Sequence, residues 1–162
     1  MSMEIKGLDS LRRKLQSLGG DIEKATARGV ASASEGIRES AVEHCPKDTG
    51  DLRESVYLKI VRSKGTITGF IGTNVEYAAC VEFGTGPTGN GTYPYPVSGL
   101  VYKADKWRVK LPFLETEDDP GIRYISGQHA QPYLYPALLE NREKSVGLIA
   151  EELRKGIREA MK

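Results

Sequence analysis

The sequence predicts an α+β fold: a twisted antiparallel sheet with two long helices packed on one face and a long hairpin-bearing insertion. Two alternating apolar runs predict the sheet, Val56, Leu58 and Ile60 followed by Ile67, Gly69 and Ile71, because successive strand side chains point to opposite faces. Apolar residues at three-and-four spacing on either side of these runs predict the helices. From Gly84 to Gly127 there are seven glycines and five prolines, too many for regular core structure, and this marks the insertion.

A chain of 162 residues can bury about two-thirds of its unfolded surface in one core and is short for two. The expectation is a single domain over 1–162, with 87–127 an inserted extended arm. Lys plus Arg number 23 against 22 for Asp plus Glu, so no global field drives nonspecific binding to nucleic acid or to an anionic membrane. No apolar run approaches the roughly 20 residues of a membrane span. The opening Met-Ser-Met-Glu-Ile-Lys lacks the order of a signal peptide, which predicts a protein made and kept in cytoplasm.

In chain order, Met3–Lys6 is expected to be an edge strand. Leu8, Leu11, Leu15 and Leu18 form one helical stripe, which Gly19-Gly20 is expected to break. Asp21 can cap a second helix of about 35 Å, with Ile22, Ala25, Val30, Ala33, Ile37 and Ala41 on its apolar face, ended by Pro46. Its small residues fit either close approach to another element or simple helix propensity. Asp48-Thr49-Gly50 makes a corner, since Asp48 or Thr49 can accept the first free amides of a short turn and Gly50 permits the bend. A β-hairpin follows, turning at Lys64-Gly65.

Within the insertion, Leu100–Ala104 and Trp107–Leu111 are expected to pair across Asp105-Lys106. The last helix, from Pro136, places Leu139, Val146, Ile149, Leu153, Ile157 and Ala160 on one face. Pro136 suits a first turn, where its missing N–H loses nothing.

Chemical constellations are scarce. Gly84 to Gly89 matches Gly-x-Gly-x-x-Gly and half a P-loop, but Asn90-Gly91 stand where Lys and Ser/Thr must hold phosphate, and Tyr93-Pro-Tyr-Pro cannot open the required helix. Cys45 and Cys80 are isolated, and in a His44/Cys45/Cys80/His129 zinc site the adjacent His and Cys would diverge. The acidic run Glu115, Glu117, Asp118 and Asp119 reads as a solvated charge run. An alternative of a different class is a small metal-dependent enzyme or nuclease using that run with His129. Glu82, just before Phe-Gly-Thr-Gly, is expected to accept the amides of that turn and lock it. No catalytic residue, cofactor or metal ligand is expected.

Three blocks are more specific: Cys45-Pro-Lys-Asp-Thr-Gly-Asp-Leu-Arg-Glu-Ser55, Tyr77-Ala-Ala-Cys-Val-Glu-Phe-Gly-Thr85, and Gly127-Gln-His-Ala-Gln-Pro-Tyr-Leu-Tyr-Pro-Ala-Leu138. In this order, between a long helix and a terminal one, they resemble the tailed-phage family of tail components named after gp-ten of coliphage Hong Kong 97. Pro46, Thr49, Gly50, Leu52 and Ser55 match its first block. Tyr77, Ala78, Glu82, Gly84 and Thr85 match the second, and Pro132, Leu134, Pro136 and Ala137 the third, with Tyr133 where Phe is usual.

The resemblance implies a virion structural protein of the neck, assembling as a ring around the DNA channel, with no enzymatic role. Its implied partners are further copies of itself and the adjacent neck, head-completion and tail proteins, with DNA passing through without specific binding. In the arm, five basic residues (Lys103, Lys106, Arg108, Lys110, Arg123) balance five acidic ones, Asp105 and the run above. The expected assembly contacts are Lys103, Trp107, Arg108 and Lys110 on the hairpin and Glu117, Asp118 and Asp119 after it.

Overall fold

A computed structural model describes residues 8–48 and 50–161, and for 8–17 the backbone alone. The expected edge strand at Met3–Lys6 lies outside the described residues. The class is α+β. The elements are α1 (Leu8–His44), α2 (Asp51–Ser55), β1 (Tyr57–Ser63), β2 (Thr66–Gly72), α3 (Ala78–Phe83), α4 (Gly86–Gly89), β3 (Trp107–Glu115), β4 (Pro120–Ile125) and α5 (Leu134–Ala160). Two compact units divide them: Met1–Ser40 with Tyr57–Gly72 and Leu138–Lys162, and Ala41–Val56 with Thr73–Ala137.

In the first unit α1 runs unbroken through Gly19-Gly20, contrary to the expected break. Two glycines cost about 2 kcal/mol of helix propensity, but nothing at that point caps or turns the chain, and Leu18 and Ile22 continue one stripe at i, i+4. The end is where proline demands it, at His44. α5 lies antiparallel along α1, with Arg28 Nε 3.2 Å from Glu152 Oε2 and Ser40 Oγ 3.3 Å from Glu140 Oε2. The small residues of α1 serve close approach: a β-carbon on Gly29 would lie 2.9 Å from Ile149 Cα, and one on Gly156 would meet Ala25. Ala25, Ala27 and Ala33 are buried.

This contact also sets which residues of the expected α5 face are covered: Ile149, Leu153 and Ala160 are half-buried. Leu139, Val146 and Ile157 are exposed, because the facing side is chosen by where backbones approach, at Gly29 and Gly156, and not by where the large side chains fall.

β1 and β2 pair antiparallel with Leu58 opposite Ile71 and Ile60 opposite Gly69, turning at Lys64 and Gly65, both at positive φ. Gly69 sits on Ser34 of α1, where a β-carbon would collide with the hydroxyl. Leu58 and Ile71 are half-buried, so this is a two-stranded ribbon with one sheltered face. The sheet grows no further: β3 and β4 form a second, separate pair.

In the second unit the hairpin partner differs from expectation. Leu100–Ala104 is not a strand, and β3 pairs instead with β4, Trp107 opposite Ile125 and Lys110 opposite Ile122, with an irregularity between Lys110 and Glu115. Asp105-Lys106 offers no glycine or asparagine for the positive φ that a two-residue hairpin turn requires. At Thr116–Asp119, by contrast, the Thr116 amide donates to the Asp119 carbonyl at 2.8 Å and the Asp119 amide to Thr116 Oγ1 at 3.1 Å. Leu100–Ala104 is held elsewhere, through Tyr102 Oη donating to the Phe83 carbonyl at 2.7 Å.

Candidate functional site

Glu82 stands near the end of α3 and is buried, 4% exposed. A helix start leaves its first amides without intrahelical partners, and this carboxylate accepts those of α5: Tyr133 N at 2.7 Å and Leu134 N at 2.9 Å on Oε2, Tyr135 N at 3.2 Å on Oε1. Pro136, next in line, has no N–H to satisfy. The four leading positions are therefore accounted for by one side chain and one proline. A negative charge there also opposes the positive end of the helix dipole. The amides Glu82 takes are thus those of α5 and not those of its own Phe83–Gly86 turn, a correction to the expected partner.

Tyr93 Oη donates to Glu82 Oε1 at 3.3 Å. Burial and then the Glu82 charge push its phenol above the ordinary tyrosine range. A run of rings extends from it, Phe83 to Tyr93 at 5.0 Å, Tyr93 to Tyr95 at 5.4 Å and Tyr95 to Tyr135 at 4.6 Å between centroids. The Tyr-Pro-Tyr-Pro segment that disqualified a nucleotide loop thereby packs onto the start of α5. Edge-on pairs of this kind add about 0.5–1.5 kcal/mol each beyond their buried area.

The glycine run closes the base of the insertion. Thr85 and Gln128 exchange backbone hydrogen bonds at 2.9 and 3.1 Å, and Thr88 N donates to the Ser126 carbonyl at 2.9 Å. A β-carbon on Gly127, at φ +92, would collide with the Thr85 carbonyl, and one on Gly86, at φ +61, would lie 2.6 Å from the Ser126 oxygen and 2.7 Å from the Trp107 ring. These positions exclude side chains because two backbones cross there.

The matched residues fall as follows. Leu52 is buried and Pro46 half-buried, Gly50 adopts φ +93 before α2, and Ser55 Oγ lies 2.6 Å from Thr73 Oγ1. Thr49 lies outside the described residues. Tyr77 precedes α3 and Gly84 follows it at φ +77; Pro132 is half-buried, and Leu134 donates its amide to Glu82. Pro46, Leu52, Tyr77 and Val81, with Asp48 and Asp51, line an open groove of about 490 Å³.

Among the expected assembly contacts, Lys103 Nζ lies 5.1 Å from the centre of the Trp107 ring. Lys110 pairs with Glu115 at 3.0 Å and Asp119 with Arg123 at 2.7 Å, so these charges are engaged within the chain. Arg108, Glu117 and Asp118 are exposed.

Cys45 and Tyr133 are buried near one another's influence. Burial foremost pushes the Cys45 thiol up to about 11, and burial followed by the charge of Cys45 and Glu82 raises Tyr133. Tyr133 Oη has no hydrogen-bond partner. Among the described residues no three His, Cys, Asp or Glu side chains gather in a way that could hold a metal ion, and no helix is long and apolar enough to cross a membrane.

Sequence reasoning assigned no structural role to Tyr93, Tyr95, Gly127 or Gln128, although Gly127 and Gln128 open the third block. For Tyr93 and Tyr95 the only signal was proximity in the chain to the second block.

A family model described as "Bacteriophage HK97-gp10, putative tail-component" matches residues 9–84, which includes the first block and the second as far as Gly84. No curated protein and no solved structure matches the chain. Over residues 9–84 the chain is similar to this family of bacteriophage tail components, the family that its sequence blocks resemble.

Proposed function

We propose that the protein is a structural component of the phage neck that joins head to tail as a homo-oligomeric ring around the DNA channel. The observation that carries this is the Glu82 hub: the second and third sequence blocks meet there through hydrogen bonds of 2.7 to 3.2 Å, and the insertion is rooted beside it. Such a hub is suited to presenting a rigid limb to neighbours, since hydrogen bonds to a buried charge are worth about 1.5–3 kcal/mol each. The near-neutral charge, +1, supports a lining that lets DNA pass without holding it. The partners are other copies and the adjoining neck, head-completion and tail proteins, and the protein resides in the virion.

Electron microscopy of particles assembled without this protein tests the joining role. Filled heads and finished tails that remain separate are the expected result. Normal joined particles would remove it.

A further inference from the structure

The β3–β4 hairpin has two unlike faces. Trp107, Val109 and Leu111 are half-buried, and Trp107 lies against Gly86 and under Lys103. The other face carries Arg108 directly opposite Tyr124, both exposed, Tyr124 to 73%. An exposed cross-strand pair of a guanidinium and a phenol ring is an unusual surface, because cation and aromatic ring together favour a desolvated partner. Lys110 and Arg123 are committed to Glu115 and Asp119, and Asp119 also accepts the Gly121 amide at 2.9 Å. Of the acidic turn between the two strands, Glu115 and Asp119 are therefore already engaged within the chain.

The groove lined by Tyr77, Val81, Asp48 and Asp51 has the complementary character: apolar walls, two carboxylates, and about 490 Å³. Sites of about 300–1,000 Å³ accept a compact apolar group with a few polar contacts.

We propose that the Arg108–Tyr124 face of one copy docks in the Tyr77/Val81 groove of the next, with the Tyr124 ring between the apolar walls and the Arg108 guanidinium against Asp48. The occupant is thus a second copy of this chain, selected by charge. Hairpin and groove are different patches, so the contact is head-to-tail and propagates around a closed ring. This inference rests on the ring reading and gives it its interface.

Cys80 also lines the groove and is exposed, whereas Cys45 is buried, so a native thiol reports on docking. Purified chain carrying Lys106→Cys, an exposed position beside Arg108 that leaves the Tyr124 ring in place, treated with a short bis-maleimide, is expected to cross-link the introduced thiol of one copy to Cys80 of another. Adding Cys80→Ser to the same chain should abolish that product. Asp48→Arg or Arg108→Glu alone should weaken oligomerisation about tenfold or more, and the double variant D48R/R108E should restore it. Circular dichroism identifies any variant that fails to fold, and the cross-link then carries the test.

An oligomer that forms normally but without the cross-link between the introduced thiol and Cys80, or that ignores both charge reversals, overturns this docking and leaves the ring standing. A chain that stays monomeric at all concentrations, alone and with neck partners, overturns both. Loss of DNA retention by Arg108→Glu with the oligomer intact would assign the face to nucleic acid and overturn the docking.

Discussion

Glu82 Oε2 accepts the amide of Tyr133 at 2.7 Å across 51 residues of sequence, so a carboxylate on a six-residue helix fixes where a 27-residue helix begins. Capping by a side chain from elsewhere in the chain combines two effects usually separate. It satisfies amides that burial would leave stranded, and it joins two segments that local sequence does not join.

Replacing Glu82 by Gln keeps the shape but turns part of the acceptor surface into an N–H donor facing other donors. The expected loss is about 2–4 kcal/mol, since charged hydrogen bonds are lost and at least one buried amide goes unpaired. Urea unfolding measures it, and hydrogen exchange at Tyr133–Tyr135 should accelerate. A loss below about 0.5 kcal/mol would mean that water replaces the carboxylate without penalty.

The two helices provide an internal control on close packing. At Gly147 of α5 a β-carbon would meet nothing within 4 Å, whereas at Gly156 it would meet Ala25. Gly147→Ala is expected to stabilise by about 0.5–1 kcal/mol through helix propensity. Gly156→Ala gains the same propensity but overpacks, at a typical cost of about 1–3 kcal/mol, and should come out less stable than Gly147→Ala by more than about 1 kcal/mol. Equal shifts in the two unfolding midpoints would show that α1 and α5 do not approach closely at Gly156.

Those glycines also mark where sequence was and was not informative. The β1–β2 ribbon and its Lys64-Gly65 turn were legible because alternation and turn chemistry are local, and so was the stop of α1 before Pro46. Half of the α5 face was not: periodicity gives a stripe of Leu139, Val146, Ile149, Leu153, Ile157 and Ala160, yet tight packing needs small residues, and the contact formed at Gly29 and Gly156 leaves Leu139, Val146 and Ile157 exposed. At the candidate site, Glu82 was identifiable as a taker of backbone amides from its place in the second block. Which amides it takes depends on a contact over 51 positions, and no local pattern encodes that. The partner of β3 was misplaced for a related reason, since a Tyr102 hydroxyl bond to Phe83 removes Leu100–Ala104 from competition.

Alkaline pH gives a third test. The buried Cys45 thiol is pushed up to about 11 from an ordinary value near 9. The unfolded chain releases this proton first, so the contribution is fully present below about pH 9 and is lost as pH rises toward about 11. Two units correspond to a loss on the order of 2 kcal/mol. The raised phenols of Tyr93 and Tyr133 act in the same direction at higher pH. The decisive comparison is therefore Cys45→Ala, whose stability should fall less steeply than that of the parent between about pH 9 and 10. Parallel curves would show that Cys45 titrates normally and is not shielded.

Tyr133 supplies the sharpest prediction, because its hydroxyl has no partner although the residue is 0% exposed. The resembled family places Phe at this position of the third block, and the whole side chain is buried. Burying a hydroxyl without a hydrogen bond costs about 1–3 kcal/mol in protein mutational series, while removing it leaves the ring contacts and the Tyr133 amide bond to Glu82 untouched. Tyr133→Phe is therefore expected to be neutral to stabilising, by up to about 1–2 kcal/mol, with unchanged exchange of the α5 first-turn amides. Tyr133→Ala, by contrast, should cost about 3–5 kcal/mol as a cavity in the second unit. Calorimetric midpoints for the pair separate the roles of ring and hydroxyl, and a Phe variant destabilised by more than about 1 kcal/mol would prove that the hydroxyl is bonded in solution.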